Sequence, residues 1–546
     1  MPVDTVHVNG RALTYLGRPV RLLRTLSRIG PTQFVRTGLQ RLRQEALTRS
    51  VRSIFIRSDS TLSGRALARA IENGEFGQSQ ILSARFDAFG GRLWNLLNAM
   101  RVADALGAQV RFYWPMRPLD GIGPAEEVFA AGFLHEHRVE AVDLPSLRNV
   151  RTWTDEDLAH LRGSSEMVWY EAKHRDPAFN KFDIATRGFR FKRIPTYQDA
   201  FASLRLHPAL ECVREAVEGL DRFPVGVHAR RGDVYRGDFR LGGQGARKAI
   251  PLPIVELLLE RAPGDGSTVL ISNDAARIRD RLRVDAERVL IASEVLDAAG
   301  SELEQMFLDF CLFTRCDEVF AGTSVFAIIP THIGGGRAVP PDDVLNPATI
   351  RVAVTEFVER EAGHPDLEVA LACTYLQDRF RAELSEQERD HLLGVAVKAD
   401  PENPGLLVAQ AARHFRRGRD ALAEELFERA RTSGAPEYAI RLTEHSLDIS
   451  RGVGFAAIDG SFLDPRDWDT IEDHSDGGPW AAFYLGLRCL ALGDRERAAS
   501  LLDVAMHLPE NAAPAAAREL LAQSEGLTPA ASGQGLSNAP GVDEGF

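Results

Sequence analysis

The sequence predicts an α/β fold of two parallel-sheet units, followed by an all-helical repeat domain. Three observations predict it. From about residue 80 to residue 333, short strand-like apolar runs alternate with amphipathic helical ones, the rhythm of parallel sheets. From about 365 to 525 the periodicity is helical only, and within that stretch two segments of about thirty residues carry small residues at matching positions.

The elements follow in order. Residues 1–75 read as short basic helices plus one strand at 53–57. Residues 80–86 read as a strand and Phe89-Gly90-Gly91 as a turn, because paired glycines tolerate positive φ. Residues 92–106 then form an amphipathic helix, with Leu93, Leu96, Leu97, Met100 and Ala103 on one face and Gly107 as its stop. Residues 109–114 are the next strand. This is one β–turn–α–β unit. After irregular sequence with helical pieces at 155–163 and 208–220, a second unit begins. Its strands are 225–229, 268–272, 289–292 and 318–321, and its helices are 252–261, 275–282, 301–313 and 325–333. Ser301 is the N-cap of its third helix, with Glu304 at capping-box spacing.

In the helical part, residues 406–435 carry Ala411, Gly418, Ala423, Phe427 and Ala430, and 481–510 carry Gly486, Gly493, Ala498, Leu502 and Ala505. Small residues recur where two helices cross closely, and each glycine between them marks a turn. The spacing looks like the tetratricopeptide repeat of about 34 residues. Asp400-Pro401-Glu402-Asn403-Pro404 resembles its inter-repeat turn and places an earlier repeat from about 369. The tail from 526 is rich in Gly, Ser, Ala and Pro and reads as disordered. The domains predicted are therefore a basic segment at 1–78, a first α/β half at 79–222, a second α/β half at 223–362, helical repeats at 363–525 and the tail at 526–546.

Bulk composition narrows the function. The 546 residues are 44% hydrophobic and 26% charged, with net charge −12, which argues against coating a nucleic acid. The acid is uneven: residues 1–57 hold eleven Arg, no Lys, and only Asp4 and Glu45. Such an arm either touches an anionic membrane surface or glycan, or lies on solvated helix faces paired with the acidic body. Five cysteines are sparse, and Cys311 and Cys316 lie wrongly spaced for a zinc site. Reduced buried thiols, no apolar run of eighteen residues and no leader-like segment predict a cytoplasmic chain without a transmembrane span.

Three segments carry chemistry, each at the end of a predicted strand, where open α/β sheets bind ligands. In His228-Ala229-Arg230-Arg231-Gly232-Asp233, two adjacent Arg call for anions. A diphosphate suits their fork geometry; the structural alternative is pairing with Asp233 and Asp238. In Phe89-Gly90-Gly91-Arg92-Leu93-Trp94-Asn95, a glycine turn before a helix offers free N–H groups to an anion; a plain tight turn is the alternative. In Gly322-Thr323-Ser324-Val325-Phe326, the hydroxyls either cap the helix or bond a phosphate.

Together these segments resemble the superfamily of GDP-fucose-dependent fucosyltransferases, over about residues 80–335. The first is similar to its glycine-rich start. The second matches its His-x-Arg-Arg-x-Asp motif residue by residue. The third looks like its late motif, a helix carrying Asp and Leu that leads to a strand and Ser-x-Phe. The resemblance implies a GT-B-like fold of two Rossmann-type halves, with the donor in the cleft between them. It implies that Arg231 contacts the β-phosphate and that Ser324 and Phe326 lie near the nucleotide, with Asp274 and Asp309 as candidates for its base and ribose. Asp238 stands where the α1,6 branch has a carboxylate and is the candidate base. The candidate catalytic residues are thus Arg231, Asp238 and Asp233. The candidate donor-binding residues are His228, Arg230, Gly90, Gly91, Arg92, Asn95, Asp274, Asp309, Thr323, Ser324 and Phe326. Arg92 stands where many members have Asn. The family is metal-independent, and Asp342-Asp343 lacks the preceding strand of a metal motif.

The sequence therefore reads as an inverting, metal-independent transferase moving fucose from GDP-fucose to a glycan or glycoconjugate, with no cofactor. The repeats would bind the acceptor or a protein partner. The alternatives are a transferase for another nucleotide sugar and a non-catalytic scaffold. Since all three segments precede residue 362, a chain ending there is expected to keep nucleotide binding.

Overall fold

The computed structural model describes residues 6–8 and 11–13, the residues from 69 to 506 apart from 86–87, 115–122, 141–145, 151–154, 171–194, 233–247, 263–267, 284–288, 297–299, 363–365, 433–464, 474–478 and 493, and Ala517. The predicted strand at 53–57, the turn glycine Gly493 and the tail from 526 lie outside them, as does the environment of the basic arm apart from one small hairpin. That hairpin pairs β1 (Val6–Val8) with β2 (Arg11–Leu13).

The first α/β unit is a four-stranded parallel sheet of β3 (Gln80–Ser83), β4 (Gln109–Phe112), β5 (Asn149–Val150) and β6 (Met167–Tyr170), in the order β4-β3-β6-β5. Helix α1 (Phe89–Leu106) follows β3 and is buried along nearly its whole length. Phe89, Gly90 and Gly91, expected as a turn, are its first turn instead. The shorter α2 (Tyr197–Ala202) and α3 (Pro208–Glu218) lead to the second unit.

That unit is a five-stranded, wholly parallel sheet of β7 (Phe223–His228), β8 (Thr268–Ile271), β9 (Val289–Ile291), β10 (Cys316–Ala321) and β11 (Arg337–Val339). Its order, β9-β8-β7-β10-β11, is the doubly wound Rossmann pattern, the third strand lying outermost and the fourth beside the first. The helices are α4 (Leu252–Arg261), α5 (Ala275–Arg281), α6 (Glu302–Thr314), α7 (Val325–Gly334) and α8 (Pro347–Glu361). Ser301 caps α6 as predicted, accepting from the Glu304 amide at 3.2 Å. Helix α3, placed with the first half by the predicted boundary at 222, packs against α6 of the second.

Beyond residue 366 the described chain is helical: α9 (Leu367–Phe380), α10 (Glu386–Ala399), α11 (Pro404–Phe415), α12 (Asp420–Thr432), α13 (Pro465–Asp473), α14 (Pro479–Leu492) and α15 (Arg495–Ala505). Helices α9 and α10, α11 and α12, and α14 and α15 form adjacent packed pairs. At the crossing of the last pair Gly486 lies against Leu502, the close approach for which a small residue was expected.

Apolar packing runs across the predicted domain boundary. One apolar cluster runs from Val225, Ile254 and Leu270 of the second α/β unit, through Ile350, Val354 and Phe357 of α8, to Val369, Leu376 and Phe380 of α9 and on into the helices that follow. The predicted boundary at 362/363 therefore lies within one continuous apolar cluster. A second cluster joins the two α/β units: Phe89 of α1 packs edge-on against Phe307 and Phe310 of α6, with centroids 6.2 and 5.8 Å apart. No described helix is long and apolar enough to cross a membrane, and all five cysteines are free thiols.

Candidate functional site

In the second sheet the strand order reverses between β7 and β10, and a doubly wound sheet opens a crevice at the carboxyl ends of such a strand pair. His228 ends β7 in register with Ala321, which ends β10. The chain leaves those two ends through Ala229-Arg230-Arg231 and Gly322-Thr323-Ser324. Two of the three segments singled out in the sequence thus flank one crevice.

The third segment arrives from the first unit. A Cβ placed on Gly90 would come within 2.9 Å of the Cα of Phe326, so only glycine lets the first turn of α1 lie on the first turn of α7. Neither helix has a side-chain cap: the N-cap residues are Ala88 and Ser324, and neither side chain accepts a hydrogen bond from its helix. Neither first turn carries an acidic residue. Two uncapped, positively polarised helix ends therefore meet at one point.

Buried polar atoms around that point lack partners. Ser324 is 1% exposed, and its hydroxyl has no hydrogen bond among the described residues. His228 is 4% exposed, and its Nδ1 is likewise unbonded. Its ring lies 5.8 Å from that of Phe326. Burial first, then the charges of Arg230 and Arg231, lower the His228 pKa to about 3. At neutral pH His228 is an uncharged imidazole that offers hydrogen bonds and no charge.

The two arginines part company. Arg230 is half-buried at the strand end. Arg231, expected in a solvated cleft against a phosphate, is 1% exposed and enclosed. Its Nε donates to Glu368 Oε1, its Nη2 to Glu368 Oε2 at 3.2 Å and to the Ile250 carbonyl at 3.0 Å, and its Nη1 to the Arg230 carbonyl at 2.9 Å. The anion it meets is a carboxylate from α9. Asp233 and Asp238, the alternative partners read from the sequence, lie outside the described residues.

The remaining candidates fall into two groups. Thr323 is exposed at the crevice, and Asp274, half-buried, follows β8. Gly232, at φ +40°, lies against Asn273, where a Cβ would come within 2.8 Å of the amide carbon, so the loops after β7 and β8 touch. Gly91, Arg92 and Asn95 are instead built into the first unit. The Arg92 guanidinium lies 5.4 Å from the Trp114 ring centre. Asn95 donates to Ser83 Oγ at 2.8 Å and to the Tyr170 carbonyl at 3.0 Å, tying the ends of β3 and β6 together.

Asp309 sits on α6 beside Phe310, whose ring packs on Phe326 at 5.7 Å. Its carboxylate accepts from Gln305 at 3.0 Å, yet burial raises its pKa from 3.8 to about 7. A carboxyl raised in the fold contributes stability that is fully present below its unfolded value and is lost as pH rises through the folded one. Asp309→Asn is therefore expected to raise the melting temperature near about pH 8.5, by on the order of 2 kcal/mol of stability, and to change little near about pH 4. Melts of both proteins at the two pH values check this; equal shifts at both would show that the carboxyl is not held protonated.

No protein-family model matches the chain, and no curated protein matches it in sequence. Solved structures do overlap it. The crystal structure of the fucosyltransferase NodZ from Bradyrhizobium aligns at 14% identity with a TM-score of 0.28, over 46% of this chain and 92% of that one. NodZ α-1,6-fucosyltransferase soaked with GDP-fucose aligns at 14% identity and TM-score 0.29, over 46% and 92%. POFUT1 in complex with GDP aligns at 15% identity and TM-score 0.25, over 48% and 99%. At such low scores these overlaps leave function to the chain's own geometry.

Proposed function

We propose that the chain is an inverting, metal-independent glycosyltransferase that moves fucose from GDP-fucose to a hydroxyl of a glycan or glycoconjugate. The observation that carries the reading is the meeting of two uncapped helix ends at Gly90 and Phe326, beside the buried, unpartnered Ser324 hydroxyl and the half-buried Arg230. N–H groups, a hydroxyl and a guanidinium around one crevice suit a diphosphate. The motif from His228 to Asp233 supports fucose as the sugar and guanosine as the nucleoside.

In this reading the acceptor oxygen attacks C1 of the sugar from the face opposite the diphosphate. The bond from C1 to the diphosphate oxygen breaks, and its electron pair stays with the leaving group. Arg230 and the ends of α1 and α7 take up the charge that develops there, the task a metal performs in other transferases. The acceptor's proton passes to a carboxylate, with Asp238 as the candidate base. Neutral His228 orients the phosphate by a hydrogen bond. The helical pairs beyond residue 366 bind the acceptor or a partner.

The reading is tested by melting the protein with nucleotides. GDP or GDP-fucose at a hundred times its dissociation constant is expected to add about 2.7 kcal/mol of stability, and GDP-fucose hydrolysis is expected to survive EDTA. A shift with UDP- or CMP-sugars and none with GDP would replace the donor. Activity abolished by chelation and restored by Mn²⁺ would remove Arg230 from its role.

A further inference from the structure

We infer that Glu368, a residue of the first helix beyond the two α/β units, is a positioning residue for the anion-binding strand end. The inference rests on the donor reading above.

Glu368 is 4% exposed. Its two carboxylate oxygens take the Nε and Nη2 of Arg231, and Oε2 also accepts from the Leu252 amide at 3.3 Å. Arg231 in turn holds two backbone carbonyls: Ile250, just before α4, and Arg230 itself. A single buried carboxylate therefore fixes the backbone of Arg230 against the start of α4 and the start of α9. Arg231 and Glu368 cancel each other's charge, so the pair brings no charge of its own to the crevice. It supplies rigidity, because a bidentate fork leaves each side chain one arrangement.

A second brace reaches the same helix start from the neighbouring strand. Arg281, the last residue of α5, pairs with Asp366 at 2.7 Å. Asp366 is the N-cap of α9, and its side chain accepts from the Glu368 amide at 3.0 Å. The chain after β7 and the helix after β8 are thus tied to one turn of α9. Since α9 shares its core with α8 and with the repeats behind it, the helical domain holds the donor crevice in shape.

The test uses the full chain and GDP as the probe, read by calorimetry, with GDP-fucose hydrolysis beside it. Two variants are compared: Glu368→Gln, and the double variant Arg231→Met with Glu368→Met. The double variant removes both members of the buried pair, and such apolar replacements often match the stability of the pair they replace. It therefore carries the measurement should Glu368→Gln not fold. The expected result is a double variant that melts near the wild type yet binds GDP at least tenfold more weakly, with hydrolysis reduced as well. A folded double variant that binds GDP and hydrolyses the donor like the wild type overturns the inference and leaves the donor reading standing. A wild type that binds no GDP overturns the donor reading, and this inference with it.

Discussion

A chain shortened to end at residue 362 is expected to lose cooperative folding and GDP binding together. Two losses add. Removing Glu368 leaves the Arg231 guanidinium buried without its carboxylate, and breaking a buried pair from one side costs about 3–5 kcal/mol. Removing α9 also strips Val369, Leu376 and Phe380 from the cluster that includes Phe357 and Val358 of α8, and each such side chain contributes roughly 1.5–3 kcal/mol by its burial. Set against a total stability of about 5–15 kcal/mol for a domain, the sum is enough to unfold the second α/β unit. Circular dichroism melts and GDP titration of the shortened and full chains decide it. A shortened chain with a sharp melt and unchanged GDP affinity would show that the two parts are separable, as the order of the sequence motifs alone suggests.

The sequence and the fold agree best where the determinants are local. The helix at 252–261 has the predicted bounds, and Ser301 with Glu304 marks the start of α6 through a contact three residues long. Strand ends differ by one to three residues, since a strand ends where its neighbour does and the neighbour is not adjacent in sequence. The strand at Met167–Tyr170 was not foreseen: it is only four residues long and all four are apolar, so its sequence lacks the polar–apolar alternation that marks a strand, although its burial alternates. Phe89-Gly90-Gly91 reads as a turn because glycine usually signals positive φ. Here Gly90 is helical, and it is glycine because the backbone of Phe326 lies against it. That reason sits more than two hundred residues away, where local reasoning does not reach.

The same distance hid the burial of Arg231 from the sequence. The sequence shows two cations at a strand end and two acids soon after, and it offers either phosphate or acid as partner. The carboxylate that settles the matter for Arg231 lies 137 residues further on, in what reads as a different domain. Nothing around Glu368 marks it; it looks like one more charged residue in the first turn of a helix. The three segments could be placed because the strands before them could be read. Two of them converge through the strand order, which puts β10 beside β7, and the third through the contact of Gly90 with Phe326.

Replacing Arg230 is expected to have the largest effect on catalysis with the smallest effect on the fold. Side chains alternate along an extended chain, so if Arg231 turns into the core towards α9, Arg230 is directed to the other side, where β7 and β10 open. Arg230 is half-buried, and in the donor reading its guanidinium meets a phosphate as two parallel hydrogen bonds. Lysine keeps the charge there but loses the fork. Because the contact tightens as charge builds on the departing diphosphate, it acts mostly in the transition state. Arg230→Lys and Arg230→Ala are both expected to lower the rate of GDP-fucose turnover about a hundredfold or more, about 3 kcal/mol, as does removal of one oxyanion-hole donor. Their melting temperatures should stay near the wild type, since Arg230 is only half-buried whereas Arg231 is enclosed. Arg231→Ala should show the reverse balance, a large fall in melting temperature because Glu368 loses its partner in the core. Melts and initial rates of the three variants, measured side by side, separate the roles. A folded Arg230→Lys variant turning over the donor at the wild-type rate would show that this guanidinium does not clamp the diphosphate, and the helix ends at Gly90 and Phe326 would then have to carry the leaving group without it.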